Sequence, residues 1–138
     1  RSPCRNRPGG GLRPRGGAPV SVKLGRVAAE IGVTDMARAV AFYRDVFGFE
    51  AVFANGNPVL FTILEKDAAE LHLMLAPGHR GPDFNVAHIY VDDVNALYQR
   101  CLGIGVAIIR TIADKDYGMR AFVLADPDGN RIDIGQPD

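Results

Sequence analysis

The sequence predicts an α+β domain made of two βαβββ modules, and three observations lead to it. Each half opens on a short apolar run that passes straight into an amphipathic helix, with Asp35 and Asp93 in equivalent places 58 residues apart. Each helix is followed by three strand-length apolar runs separated by turn residues. No interior stretch reads as a linker between two domains, so the chain makes one domain, from 22 to 138, with modules at about 22–77 and 84–138.

Residues 1–21 stand apart. Arg1, Arg5, Arg7, Arg13 and Arg15 fall in a first stretch of nineteen residues that holds no acid but five glycines and four prolines. That composition breaks an amphipathic transit helix and predicts a disordered tail. In the first module 27–33 (VAAEIGV) is a strand. Asp35 then caps a helix whose Met36, Val40, Tyr43 and Phe47 share a face and which Gly48 ends. Strands follow at 50–54, 58–64 and 70–76, joined by Asn55-Gly56-Asn57 and Glu65-Lys66-Asp67. The connector with Pro77, Gly78, His79, Arg80, Gly81 and Pro82 reads as a solvated linker.

The second module repeats the plan with a strand at 86–91 (VAHIYV), a cap at Asp92 or Asp93, a buried stripe of Val94, Leu97, Tyr98 and Cys101, and a stop at Gly103. Strands at 106–112, 119–125 and 131–135 complete it, the last entered through the turn Asp126-Pro127-Asp128-Gly129-Asn130. A one-sided sheet with a helix on one face leaves its other face to be covered by the sister module, a ligand or a second chain.

Composition narrows the function. Formal charge is zero, but without the tail's five arginines residues 20–138 carry five more acidic than basic side chains. An acidic body disfavours nucleic acid and suits a cationic small ligand. Cys4 and Cys101 form no disulfide framework or zinc spacing, which points to a reducing, cytoplasmic setting. No apolar run approaches the roughly 18 residues of a membrane span. Gly9-Gly10-Gly11 lacks the strand and Lys-Ser/Thr of a phosphate loop, Ser2 and Ser21 lie in no nucleophile elbow, and Cys101 reads as a small core residue.

The segments VTDMARAVAFYRDVFGFE, HIYVDDVNALYQR and YGMRAFVLADPDGNRIDIGQ, in this order, resemble the vicinal oxygen chelate superfamily of glyoxalases, extradiol dioxygenases and bleomycin-resistance proteins. The resemblance spans about residues 24–136 and is nearest in pattern to the bleomycin-resistance type. It implies paired modules whose mixed sheets curl around a shared cavity, commonly in a homodimer. Metal enzymes of the family take a His or Gln early in each module's first strand and a Glu, sometimes His, in each last strand. Those positions fall here on Ala28 and Val86, which cannot ligate, and on His72 and Asp133, which can.

Strand alternation offers a displaced set, since Glu30 faces the same way as Ala28 and His88 the same way as Val86. A two-residue step moves a ligand about 6.5 Å, far beside metal–ligand bonds of about 2 Å. No metal or other cofactor is therefore expected; if one binds, His72 and Asp133 with Glu30 or His88 would hold it. Glu30 and His88 are the candidates for proton transfer, against a reading of both histidines as inert strand residues. Asp133 either meets a ligand or orients a neighbour. Arg120 either grips an anion or pairs with an acid, and Phe61, Tyr90, Tyr117 and Phe122 divide between core and cavity. The expected protein is a homodimer that sequesters a cationic or aromatic small molecule, an antibiotic among them, with no nucleic-acid or membrane partner. A divalent-metal lyase, isomerase or dioxygenase is the alternative.

Overall fold

The computed structural model describes residues 18–138; most of the Arg-rich tail lies outside them. The elements run β1 (Ala29–Val33), α1 (Met36–Phe47), β2 (Glu50–Asn55), β3 (Phe61–Lys66), β4 (Ala69–Leu75), then β5 (Asn85–Tyr90), α2 (Val94–Ile104), β6 (Ala107–Lys115), β7 (Met119–Ala125) and β8 (Arg131–Pro137). They form two four-stranded sheets, ordered β1-β4-β3-β2 and β5-β8-β7-β6. In each, the first strand runs parallel to the last and the remaining pairs are antiparallel. The duplicated βαβββ plan is thus what the chain adopts, with the two sheets not closed into a barrel.

Both helices are set by the local chemistry of their ends. Asp35 accepts a hydrogen bond from the Arg38 N–H and Asp93 one from the Ala96 N–H, so Asp93 rather than Asp92 is the second cap. Gly48 closes α1 in the left-handed conformation, φ 87°. The second helix does not stop at Gly103. It runs to Ile104 and ends on left-handed Gly105, where the N–H groups of Gly105 and Val106 both reach the Cys101 carbonyl at 3.0 Å. A glycine is free to sit in a helix; the stop falls where the orphan carbonyl can be satisfied.

The core lies between helices and sheets. Ile31 and Val33 of β1, Leu64 of β3 and Leu71 and Leu73 of β4 meet Tyr43 and Val46 of α1, while Phe122, Leu124, Ile132 and Ile134 of β7 and β8 meet Val94 and Cys101 of α2. Cys101 is wholly buried, and desolvation pushes its thiol up to about 11, so it is an inert small hydrophobe.

The β7–β8 turn joins the modules. Asp126 accepts from the backbone N–H groups of Asp128 and Asn130 with one carboxylate oxygen, and from the Tyr43 hydroxyl at 2.7 Å and the Asn130 amide at 2.9 Å with the other. Asp128 accepts from the Thr34 N–H and hydroxyl and from Arg38, at the start of α1. Asn130 also donates to the Gly32 carbonyl, and its own oxygen pairs with His79 Nε2 at 2.9 Å. The connector is therefore docked rather than solvated: His79 packs on Gly32, and a Cβ at Gly81 would fall 2.0 Å from the Gly129 carbonyl oxygen. Burial first, then the Asp126 carboxylate, drives the Tyr43 phenol well above its ordinary pKa.

The equivalent place in the other half is open. Five residues separate β7 from β8, but only Asp67 and Ala68 separate β3 from β4. The shorter turn leaves a groove of about 740 Å³ beside the start of α2, with Phe47, Phe49 and Leu97 among its walls.

Candidate functional site

Strand alternation sends Ile31, Val33, Leu64, Leu71 and Leu73 into the core and their neighbours to the opposite, helix-free face of the first sheet. Glu30 and His72 stand on that face as register partners across the parallel β1–β4 pair. His88 and Asp133 are register partners across the parallel β5–β8 pair. Each sheet thus carries one imidazole and one carboxylate at matching places, in opposite order: carboxylate on the first strand in module one, imidazole on the first strand in module two.

In module one His72 is held between two glutamates. Its Nε2 lies 2.7 Å from Glu70 Oε2, and its Nδ1 lies 3.6 Å from Glu30 Oε2, beyond hydrogen-bond reach. Glu70 is doubly engaged, since its other oxygen accepts from Arg26 at 2.7 Å. The His72 hydrogen bond first, with Arg26 adding its charge, holds the Glu70 carboxyl below the usual range. With an anionic Glu70 accepting from Nε2, the neutral form of the ring carries its lone pair on Nδ1. Nδ1 is the one buried side-chain polar atom without a partner among the described residues. The Phe61 ring stands edge-on to His72, centroids 5.3 Å apart, with Phe53 beyond it at 6.3 Å.

In module two His88 Nδ1 pairs with Asp133 Oδ2 at 2.9 Å, so Asp133 orients the ring, and Nε2 is the nitrogen left over. Tyr90, two residues on, packs against His88 with centroids 4.6 Å apart and is two-thirds exposed. Tyr117 sits on the β6–β7 turn; partial burial, then the Asp133 and Asp116 carboxylates, raises its phenol pKa. Gly135 keeps this corner open, because a Cβ there would come 2.3 Å from the Met119 sulfur and 3.1 Å from His88 Cε1.

Seven of the nine expected site residues therefore gather in two groups: Glu30, Phe61 and His72 on one sheet, His88, Tyr90, Tyr117 and Asp133 on or beside the other. Arg120 and Phe122 face the opposite way. Arg120 donates to Asn95 of α2 at 2.8 Å and to Asp114 at 3.1 Å. Phe122 is fully buried against Tyr98 of α2. Both belong to the helix side because β7 alternates with its even-numbered residues inward to α2. Glu70 and Phe53 are the neighbours that sequence reading missed. Glu70 was open to the same alternation that links Glu30 to Ala28, whereas the register irregularity between Ala51 and Phe53 hides Phe53 from any alternation count.

Among the described residues no group of three or more His, Cys, Asp and Glu side chains is arranged to hold a metal ion. The first sheet brings His72 beside Glu30 and Glu70, the latter already taken by Arg26, and the second brings His88 beside Asp133, so neither sheet of one chain presents a set that fits a divalent metal. A further hollow of about 740 Å³ lies on the helix side between α1 and β2–β3, and none of the expected site residues lines it. The helix-free faces are open surfaces instead, with Phe53, Tyr90 and Tyr117 exposed.

Known proteins share this architecture. The bleomycin resistance determinant encoded on transposon Tn5 superposes with a TM-score of 0.71 at 22% identity, over 83% of this chain and 99% of that one. A lactoylglutathione lyase from Agrobacterium tumefaciens gives 0.65 at 23% identity, over 86% and 96%. A superfamily member from Sphaerobacter thermophilus gives 0.69 at 26% identity, over 82% and 98%. Uncharacterized proteins of Mycobacterium bovis and Mycobacterium tuberculosis are 40% identical over 50 residues, a stretch that spans about a third of each relative's length. The model of the Glyoxalase/Bleomycin resistance protein/Dioxygenase superfamily matches residues 23–134, the two modules almost entire, and the chain belongs to that superfamily.

Proposed function

We propose that this protein is a metal-free, cytoplasmic small-molecule-binding protein of the bleomycin-resistance type. In this reading a homodimer brings the module-one face of one copy against the module-two face of the other, and a cationic or aromatic ligand, such as an antibiotic, is sequestered between them. The observation that carries it is the pair of open, helix-free faces, each holding a His–carboxylate pair beside exposed aromatic rings. Ala28 and Val86 at the family's usual ligating positions support a site without metal. Apolar rings supply area and the carboxylates supply charge, a combination that suits a flat cation. Mating of two such faces would need to bury about 1,200–2,000 Å² to be stable.

Thermal unfolding of chelator-treated protein with bleomycin-type glycopeptides and with simple aromatic cations tests the reading. A ligand at about 100 times its dissociation constant adds about 2.7 kcal/mol, a clear rise in Tm. No rise with any of them removes the sequestration reading.

One observation favours a second reading, a divalent-metal lyase, isomerase or dioxygenase with a displaced site. The unpartnered Nδ1 of His72 and the free nitrogen of His88 are both donors that two mated sheets would bring into one cavity with Glu30 and Asp133. Stoichiometric metal lost in both His72→Ala and Asp133→Ala would establish it.

A further inference from the structure

We infer that the module-one face selects cations that donate N–H, amidinium, guanidinium or primary ammonium, over quaternary cations of the same size, with Glu30 and His72 Nδ1 as the paired acceptors. This rests on the small-molecule-binding reading and adds the chemical class of the ligand.

Three features of the face carry the inference. First, His72 Nδ1 is buried and unpartnered, while Glu70 accepts from Nε2. The ring therefore presents a lone pair, and a buried acceptor left unpaired costs free energy that a donor would recover. Second, Glu30 Oε2 lies 3.6 Å from that nitrogen and the Glu30 side chain is 62% exposed. It is the uncommitted carboxylate, because both oxygens of Glu70 are already taken by His72 and Arg26. One anionic and one neutral acceptor side by side match two N–H groups on a single cationic centre. Third, the chain already shows a guanidinium held on this face, Arg26 lying 2.7 Å from Glu70 and 3.9 Å from Glu65.

The alternatives fit less well. An anion would meet Glu30, Glu65 and Glu70, and the guanidinium of Arg26 is already taken up by the last two. A quaternary ammonium would gain the Phe61 and Phe53 rings and the Glu30 charge but would leave Nδ1 unpaired, because it has no hydrogen to donate.

Two probes of equal charge and similar size, benzamidinium and benzyltrimethylammonium, separate these cases by calorimetric titration on the full chain. Benzamidinium binding at least about tenfold tighter, the scale of one hydrogen bond to a charged group, is the expected result. In His72→Leu that preference falls several-fold, to what Glu30 alone supplies, and His72→Asn, which returns an acceptor close to the Nδ1 position, restores part of it. Glu30→Gln, at an exposed position that leaves folding intact, weakens both probes and keeps benzamidinium ahead. Equal affinities in the wild type overturn the inference while cation binding stands. Neither cation binding overturns the inference together with the small-molecule reading, provided unfolding curves show folded protein. A His72 ring 15N resonance that does not move on adding benzamidinium means that ordered water alone meets Nδ1, which also overturns it.

Discussion

Glu70 and Tyr43 show how single side chains tie stability to pH. The Glu70 pKa is lowered chiefly by its hydrogen bond to His72, so its contribution is fully present above the ordinary carboxylate range and is lost as pH falls through the lowered value. Denaturant midpoints for wild type and Glu70→Gln should therefore converge as pH drops from about 7 towards 3, and a gap that stays constant contradicts the pairing. Tyr43 behaves oppositely. Its raised pKa means a contribution present below the ordinary phenol pKa and lost as pH rises through the higher folded value. In an alkaline absorbance titration it should ionise last, together with unfolding. Tyr43→Phe removes the donor to the buried Asp126 carboxylate and should cost about 1–3 kcal/mol by urea denaturation. Residue types, alternation and the family positions singled out Glu30, His72, His88 and Asp133 as one set; only the strand register divides them, Glu30 with His72 on one sheet and His88 with Asp133 on the other. Two placements were not readable: Arg120 and Phe122 needed to know which face of β7 meets α2, and a single strand cannot say which of its two faces is covered.

Among the elements, the turn Asp126–Asn130 does the most. Its sequence reads as a tight entry to the last strand, and it is one, but its carboxylates also hold Thr34 just before α1 and Tyr43 within it, while Asn130 holds Gly32 of β1 and His79 of the connector. Only contacts between residues 51 to 94 positions apart reveal that second role, which is why His79 and its glycine neighbours read as a linker. Asp128→Ala frees the Thr34 hydroxyl and Arg38 and should lower stability by about 1–3 kcal/mol. Gly81→Ala, whose Cβ meets backbone at 2.0 Å, should lose at least as much, since backbone cannot step aside as a flexible side chain can. A thermal melt of either variant that matches wild type would show that the turn does not clasp the modules. Helix and strand identities were legible because capping aspartates, glycine stops and apolar periods agree with one another. Boundaries moved where a hydrogen bond decided them, as at Gly105, or where a bulge broke the alternation, as in β2.

For the whole molecule, duplication gives two sheets that each bury one face and leave the other open. In the proposed dimer those open faces meet, so light scattering should return twice the 14.9 kDa chain mass. Substituting Phe53 or Tyr90 with Asp on the exposed faces should shift the protein towards monomer and weaken ligand binding in parallel. The function turns on whether the His–carboxylate pairs meet a ligand directly or through a metal. Elemental analysis of protein purified without a histidine tag decides this most directly. Far less than one zinc, nickel, manganese or iron per chain is expected, with no change in His72→Ala or Asp133→Ala. One equivalent of any of them, lost in both variants, would contradict the metal-free reading.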